Sequence, residues 1–141
     1  MNGTTTNGET MRRRYLLLIV FLTLACLWLT GCSGKSEAVG SIKAGEKLFK
    51  QATIGNQAGC SACHSLEPDV ILVGPSLAGI ARQAGSRVPG MSAEEYIRQS
   101  ILEPNAYIVE GFPKNIMPSA WGEELTDEHI NDLVAYLMTL E

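Results

Sequence analysis

The sequence predicts a small all-α domain with long loops, and three observations predict it. Apolar residues recur at helical spacing in separate segments, and no segment alternates apolar and polar as a half-buried strand does. The stretch from Asn105 to Gly122 scatters Gly111, Pro113 and Pro118 among isolated apolar residues, which suits no regular element. With 141 residues the chain has room for one domain with its own core rather than two.

Taken in order, Ser41 to Ala52 is the first helix: Ile42, Ala44, Leu48 and Phe49 recur near helical spacing, with lysines on the other side. Gly45 falls inside it. Glycine costs a helix interior about 1 kcal/mol against alanine, so it marks a close approach by another element. Ile54 to Gly59 is polar and glycine-rich, Leu66 to Gly74 contains Pro68, and both read as loops. Ser76 to Gln83 holds a short helix with Leu77 and Ile80 on one face and Gly85 ending it. A clearer helix opens at Ser92, whose pairing with Glu95 is a capping box; Tyr96, Ile97 and Ile101 follow at helical spacing, and Pro104 stops it. The long irregular stretch after it is expected to wrap something. Thr126 then caps a terminal helix, with Asp127 and Glu128 in its positive first turn, and Ile130, Leu133, Val134, Tyr136 and Leu137 along one stripe.

The first thirty-odd residues differ. Arg12, Arg13 and Arg14 precede an almost unbroken apolar run from Tyr15 to Leu29, closed by small residues, the layout of an export signal over residues 1–31. The run is shorter than the usual span of about 20 residues, although it also suits a short uncleaved anchor. Leu29-Thr30-Gly31-Cys32 resembles the lipobox of bacterial lipoproteins, in which the cysteine becomes the first mature residue and is acylated; two or more acyl chains give a durable anchor. Residues 32–40 read as a flexible tether and 41–141 as the folded domain. Met11 is a second candidate start after a polar leader. The expected location is the outer, periplasmic or extracellular, face of the cytoplasmic membrane. Beyond residue 31, eight Lys and Arg face fourteen Asp and Glu, a formal charge of −6, so nucleic acid, which demands a cationic face, is not an expected partner.

The decisive motif is Cys60-Ser61-Ala62-Cys63-His64. Two thiols three positions apart, with an imidazole next to the second, form the attachment pattern of c-type haem: the thiols add to its vinyl groups and the imidazole reaches its iron. Competing readings are half of a zinc site, a thioredoxin-like redox pair and a plain disulfide. The first lacks partners beyond the remote Cys32 and His129. The second lacks the strand-to-helix setting, and the third remains open to any exported protein.

From Ser41 to Leu140 the chain resembles a class I c-type cytochrome domain, and is similar to those associated with the copper-containing subunit II of haem–copper oxidases. The likeness rests on the attachment motif, on Gly74-Pro75-Ser76-Leu77, on the segment from Ser100 through Ile116-Met117-Pro118, and on the terminal helix with Tyr136. It implies a small cytochrome c fold of three to five helices around one covalent haem c. It also implies Met117 as the second axial ligand, and the Pro75 carbonyl as acceptor of the His64 ring N–H. Met91 and Met138 read as core, and His129 as a surface residue. Tyr107 and Trp121 carry donors that reach a haem propionate, or are buried aromatics against the porphyrin.

The resemblance implies electron transfer rather than catalysis, in a respiratory or photosynthetic chain, with partners such as a terminal oxidase or a quinol-oxidising complex. A haem-based gas sensor or enzyme in which Met117 dissociates is one alternative. A fixed subunit of an oxidoreductase complex is another.

Overall fold

The computed structural model describes Arg12, Arg14 and residues 40–141. The chain divides into two units, Met1–Ser36 and Glu37–Glu141, and the second holds the fold described below. Cys32, the signal apart from Arg12 and Arg14, and the tether up to residue 39 lie outside the described residues.

Helix α1 spans Ile42–Phe49, shorter than the 41–52 the periodicity predicts, because the chain turns at Lys50 into a small hairpin. There β1, Thr53–Ile54, pairs antiparallel with β2, Gln57–Ala58, around Gly55 at φ 54, where the sequence reading placed only loop. Two-residue strands carry too few side chains to show an alternation. A single turn, α2, covers Cys60–Cys63. Helix α3 runs Ile80–Ala84 rather than 76–83: Gly79 stands at φ 69, a left-handed conformation outside any right-handed helix, and Gly85 caps the end as expected. Helix α4, Ala93–Leu102, has the full Ser92/Glu95 capping box. A further turn, α5, covers Trp121–Glu124, and α6 runs Asp127–Leu137 behind Thr126. The described helices thus number six against three to five expected, the surplus being single turns.

Helices α1 and α6 cross where Gly45 was expected to admit a neighbour. A Cβ there would collide with the Asp132 carbonyl oxygen and lie 2.8 Å from Tyr136 Cβ. The Phe49 and Tyr136 rings meet at 5.7 Å, tilted by 54°. Asp132 is buried, and its carboxylate accepts the Ser41 backbone N–H at 2.6 Å, which ties the start of α1 to α6. The apolar stripe of α6 meets Tyr96, Ile97 and Ile101 of α4 and Trp121 of α5 in one core. Among the described residues, no helix is long and apolar enough to cross a membrane.

Candidate haem site

Between α1, α2, α4 and the long loop before α5 lies a cleft that is open to solvent at its mouth. Cys60, Cys63, His64, Pro75, Tyr107, Met117 and Trp121 all line it, which brings together every site residue expected between 41 and 141. No Lys, Arg, Asp or Glu is among the described residues lining it.

The backbone around His64 is laced to the segment that faces it. Gly74 N–H donates to the Cys63 carbonyl and Leu77 N–H to the Ser65 carbonyl, each at 2.8 Å, while Ser76 Oγ donates to the Glu67 carbonyl at 2.7 Å. Between these ties His64 Nδ1 sits 2.8 Å from the Pro75 carbonyl oxygen. A carbonyl only accepts, so the proton is on Nδ1 and the lone pair is on Nε2, free for a metal. Burial pushes the imidazole below its ordinary pKa, with the Pro75 bond opposing, so the ring is neutral at neutral pH. Gly74 was legible only as part of a family motif, yet it fixes the ring's place. A Cβ there would lie 2.5 Å from His64 Cε1 and 2.9 Å from Nδ1.

Cys60 and Cys63 are free thiols on the single turn that ends at His64. In the haem-free chain burial pushes the Cys60 thiol's pKa up, the Cys63 charge adds to this and its own backbone hydrogen bond opposes it. Met117 packs half-buried against the core from a stretch with no helix or strand. Tyr107 stacks edge-on against Tyr96 at 5.6 Å. Trp121 is 4% exposed, and its Nε1 donor, in the cleft wall, has no partner among the described residues. Val73 and Ile116 line the cleft and remain 53% and 50% exposed, so apolar surface reaches solvent at the mouth.

The other candidates stay apart. His129 does not line the cleft; its Nδ1 faces the Thr126 N–H at 3.4 Å and completes the cap of α6. Met91 and Met138 pack against the core, as read from the sequence.

A family model described as Cytochrome c matches residues 42–141, and the chain belongs to that family. Its cofactor is therefore a covalently bound haem c with iron, and its work is haem-based electron transfer to and from redox partner proteins. No curated protein matches the chain. The residues present fit the group: a pair of thiols and a neutral imidazole, an uncharged wall, and a buried indole N–H with no partner among the described residues.

Proposed function

We propose that this chain is an exported, lipid-anchored carrier of one electron at a time on a single haem. In this reading Cys60 and Cys63 supply the thioether links and His64 and Met117 the two axial ligands. The supporting observation is that all four side chains line one cleft, with His64 already oriented by Pro75.

Each thiol adds across a vinyl group, its hydrogen going to one carbon and its sulfur to the other, so no oxidant is needed. A haem iron held by His64 and Met117 would supply one-electron chemistry, and a neutral, soft thioether ligand would favour its ferrous form and raise the potential. If both His64 and Met117 held the iron, no position would be left for a substrate and the chemistry would be outer-sphere electron transfer; a sensor or enzyme would need Met117 to dissociate. Pro75 strengthens His64 as a donor by holding its Nδ1 proton. Trp121 Nε1 and the Tyr107 hydroxyl are the donors for propionate oxygens. The apolar mouth at Val73 and Ile116 is where a partner approaches the haem edge.

The partner is a component of a respiratory or photosynthetic chain, such as a terminal oxidase or a quinol-oxidising complex. Acylation of Cys32 would hold the domain on the outer face of the cytoplasmic membrane and raise its effective concentration near such a partner. The test is the mass of the protein produced with haem maturation. The expected mass carries one haem through denaturation, and the Cys60→Ser, Cys63→Ser double variant loses it. Diacylated Cys32 at the N-terminus is expected in the membrane fraction; an unmodified Cys32, or release into the soluble fraction, contradicts the anchor.

A further inference from the structure

The segment bearing Met117 is poorly tied by its own backbone. Pro113 and Pro118 have no N–H to give. Of the N–H groups between Pro113 and Ala120, that of Asn115 is the one that finds an acceptor among the described residues: Asn105 Oδ1, at 2.8 Å.

Asn105 is well placed to anchor a loop. It follows directly on α4, whose Tyr96, Ile97 and Ile101 are in the core, and it is a central residue of the turn in which Ala106 N–H donates to the Glu103 carbonyl at 2.8 Å. Pro104, with its fixed φ, precedes it in that turn. From Asn105 the chain runs out, bends at Gly111 (φ 87) with Phe112 N–H on the Val109 carbonyl, and returns to Asn115. Asn115 stands at φ 62, a left-handed conformation that asparagine tolerates better than most residues but that persists only where its surroundings hold it. Both asparagines line the cleft, and Asn115 is two positions from Met117.

We propose that Asn105 is a positioning residue for the axial thioether: by holding the Asn115 N–H it keeps the Met117 loop closed and slows loss of the sulfur from the iron. This rests on Met117 being a ligand. Asn105 touches neither iron nor substrate; it acts through two peptide units on the residue that does. Because its side chain is exposed, truncation leaves the core packing intact.

The test uses the haem-loaded ferric protein as wild type, Asn105→Ala and Asn105→Asp, with imidazole as the incoming ligand. Loss of the sulfur-to-iron band is followed to the limiting rate at high imidazole, where loop opening controls exchange. Removing one hydrogen bond of ordinary net worth should raise that rate about fivefold in Asn105→Ala. Asn105→Asp keeps the acceptor oxygen and should restore a rate close to wild type. An Ala variant that melts lower but exchanges at the wild-type rate overturns the proposal, since it shows a merely structural role. So does an Asp variant as labile as the Ala variant. Failure of the ligand reading shows separately: wild type would lack the band, or Met117→Ala would keep it, and Asn105 would then have no thioether to position.

Discussion

His64 and Gly74 are in such close register that the imidazole fills the place a side chain would take: a Cβ on Gly74 would fall 2.5 Å from His64 Cε1. The neighbouring Pro75 carbonyl holds the same ring by its Nδ1 proton at 2.8 Å. One segment therefore sets both the position and the tautomer of the His64 imidazole.

Replacing Gly74 by alanine is expected to displace that ring. Overpacking at a well-filled site costs about 1–3 kcal/mol. Denaturant unfolding of the haem-loaded protein should show a loss of that size, with the reduction potential shifted as the His64 bond lengthens.

Gly45→Ala should also destabilise, despite the better helix propensity of alanine, worth about 1 kcal/mol. The added methyl would meet the Asp132 carbonyl, which is backbone of α6 and cannot rotate away. A net loss of about 1–3 kcal/mol in chemical denaturation is the expected outcome; a stabilised variant would mean that α1 and α6 do not cross there.

Trp121→Phe removes the buried Nε1 donor together with part of the packing of a core side chain. If that donor meets a propionate oxygen, the haem-loaded protein should lose about 1.5–3 kcal/mol, the worth of a hydrogen bond to a charged group. Denaturation monitored at the haem absorbance reads this, and an unchanged midpoint would remove Trp121 from the propionate site.

Glu95 gives a pH dependence. The Ser92 backbone N–H, and then its hydroxyl, hold the carboxyl below its ordinary pKa. A depressed folded-state pKa adds stability that is complete above the unfolded value and is lost as pH falls through the folded one. Thermal midpoints of wild type and Glu95→Gln should therefore differ at neutral pH and converge in acid.

The parts of this fold legible in the sequence are those whose cause is local. The Ser92/Glu95 box and the Thr126 cap lie within four residues of the helices they start, and the stripe of α6 repeats along one segment. The attachment motif is legible for the same reason: Cys60, Cys63 and His64 lie within five residues of one another. The ends of α1 and α3 were misplaced because the turn at Lys50 and the left-handed Gly79 interrupt an apolar spacing that itself runs on. His129 as a capping side chain escaped notice because Glu or Gln usually holds that position.

What stayed hidden depends on partners distant in sequence. The collision at Gly74 needs His64, ten positions back; the tie at Asn115 needs Asn105; the unpaired Trp121 donor needs a burial that no spacing reveals. The run Val70-Ile71-Leu72-Val73 lies in the stretch read as a loop, and it is exposed despite being apolar, Ile71 at 66%.

The most direct measurement is the optical spectrum of the purified protein, oxidised and reduced, with carbon monoxide then added to the reduced form. Ligation by His64 and Met117 is expected to give a covalently retained haem, a weak sulfur-to-iron band in the oxidised state and almost no response to carbon monoxide. A missing sulfur band, or rapid binding of carbon monoxide, would contradict the closed electron carrier and leave a haem with an open site.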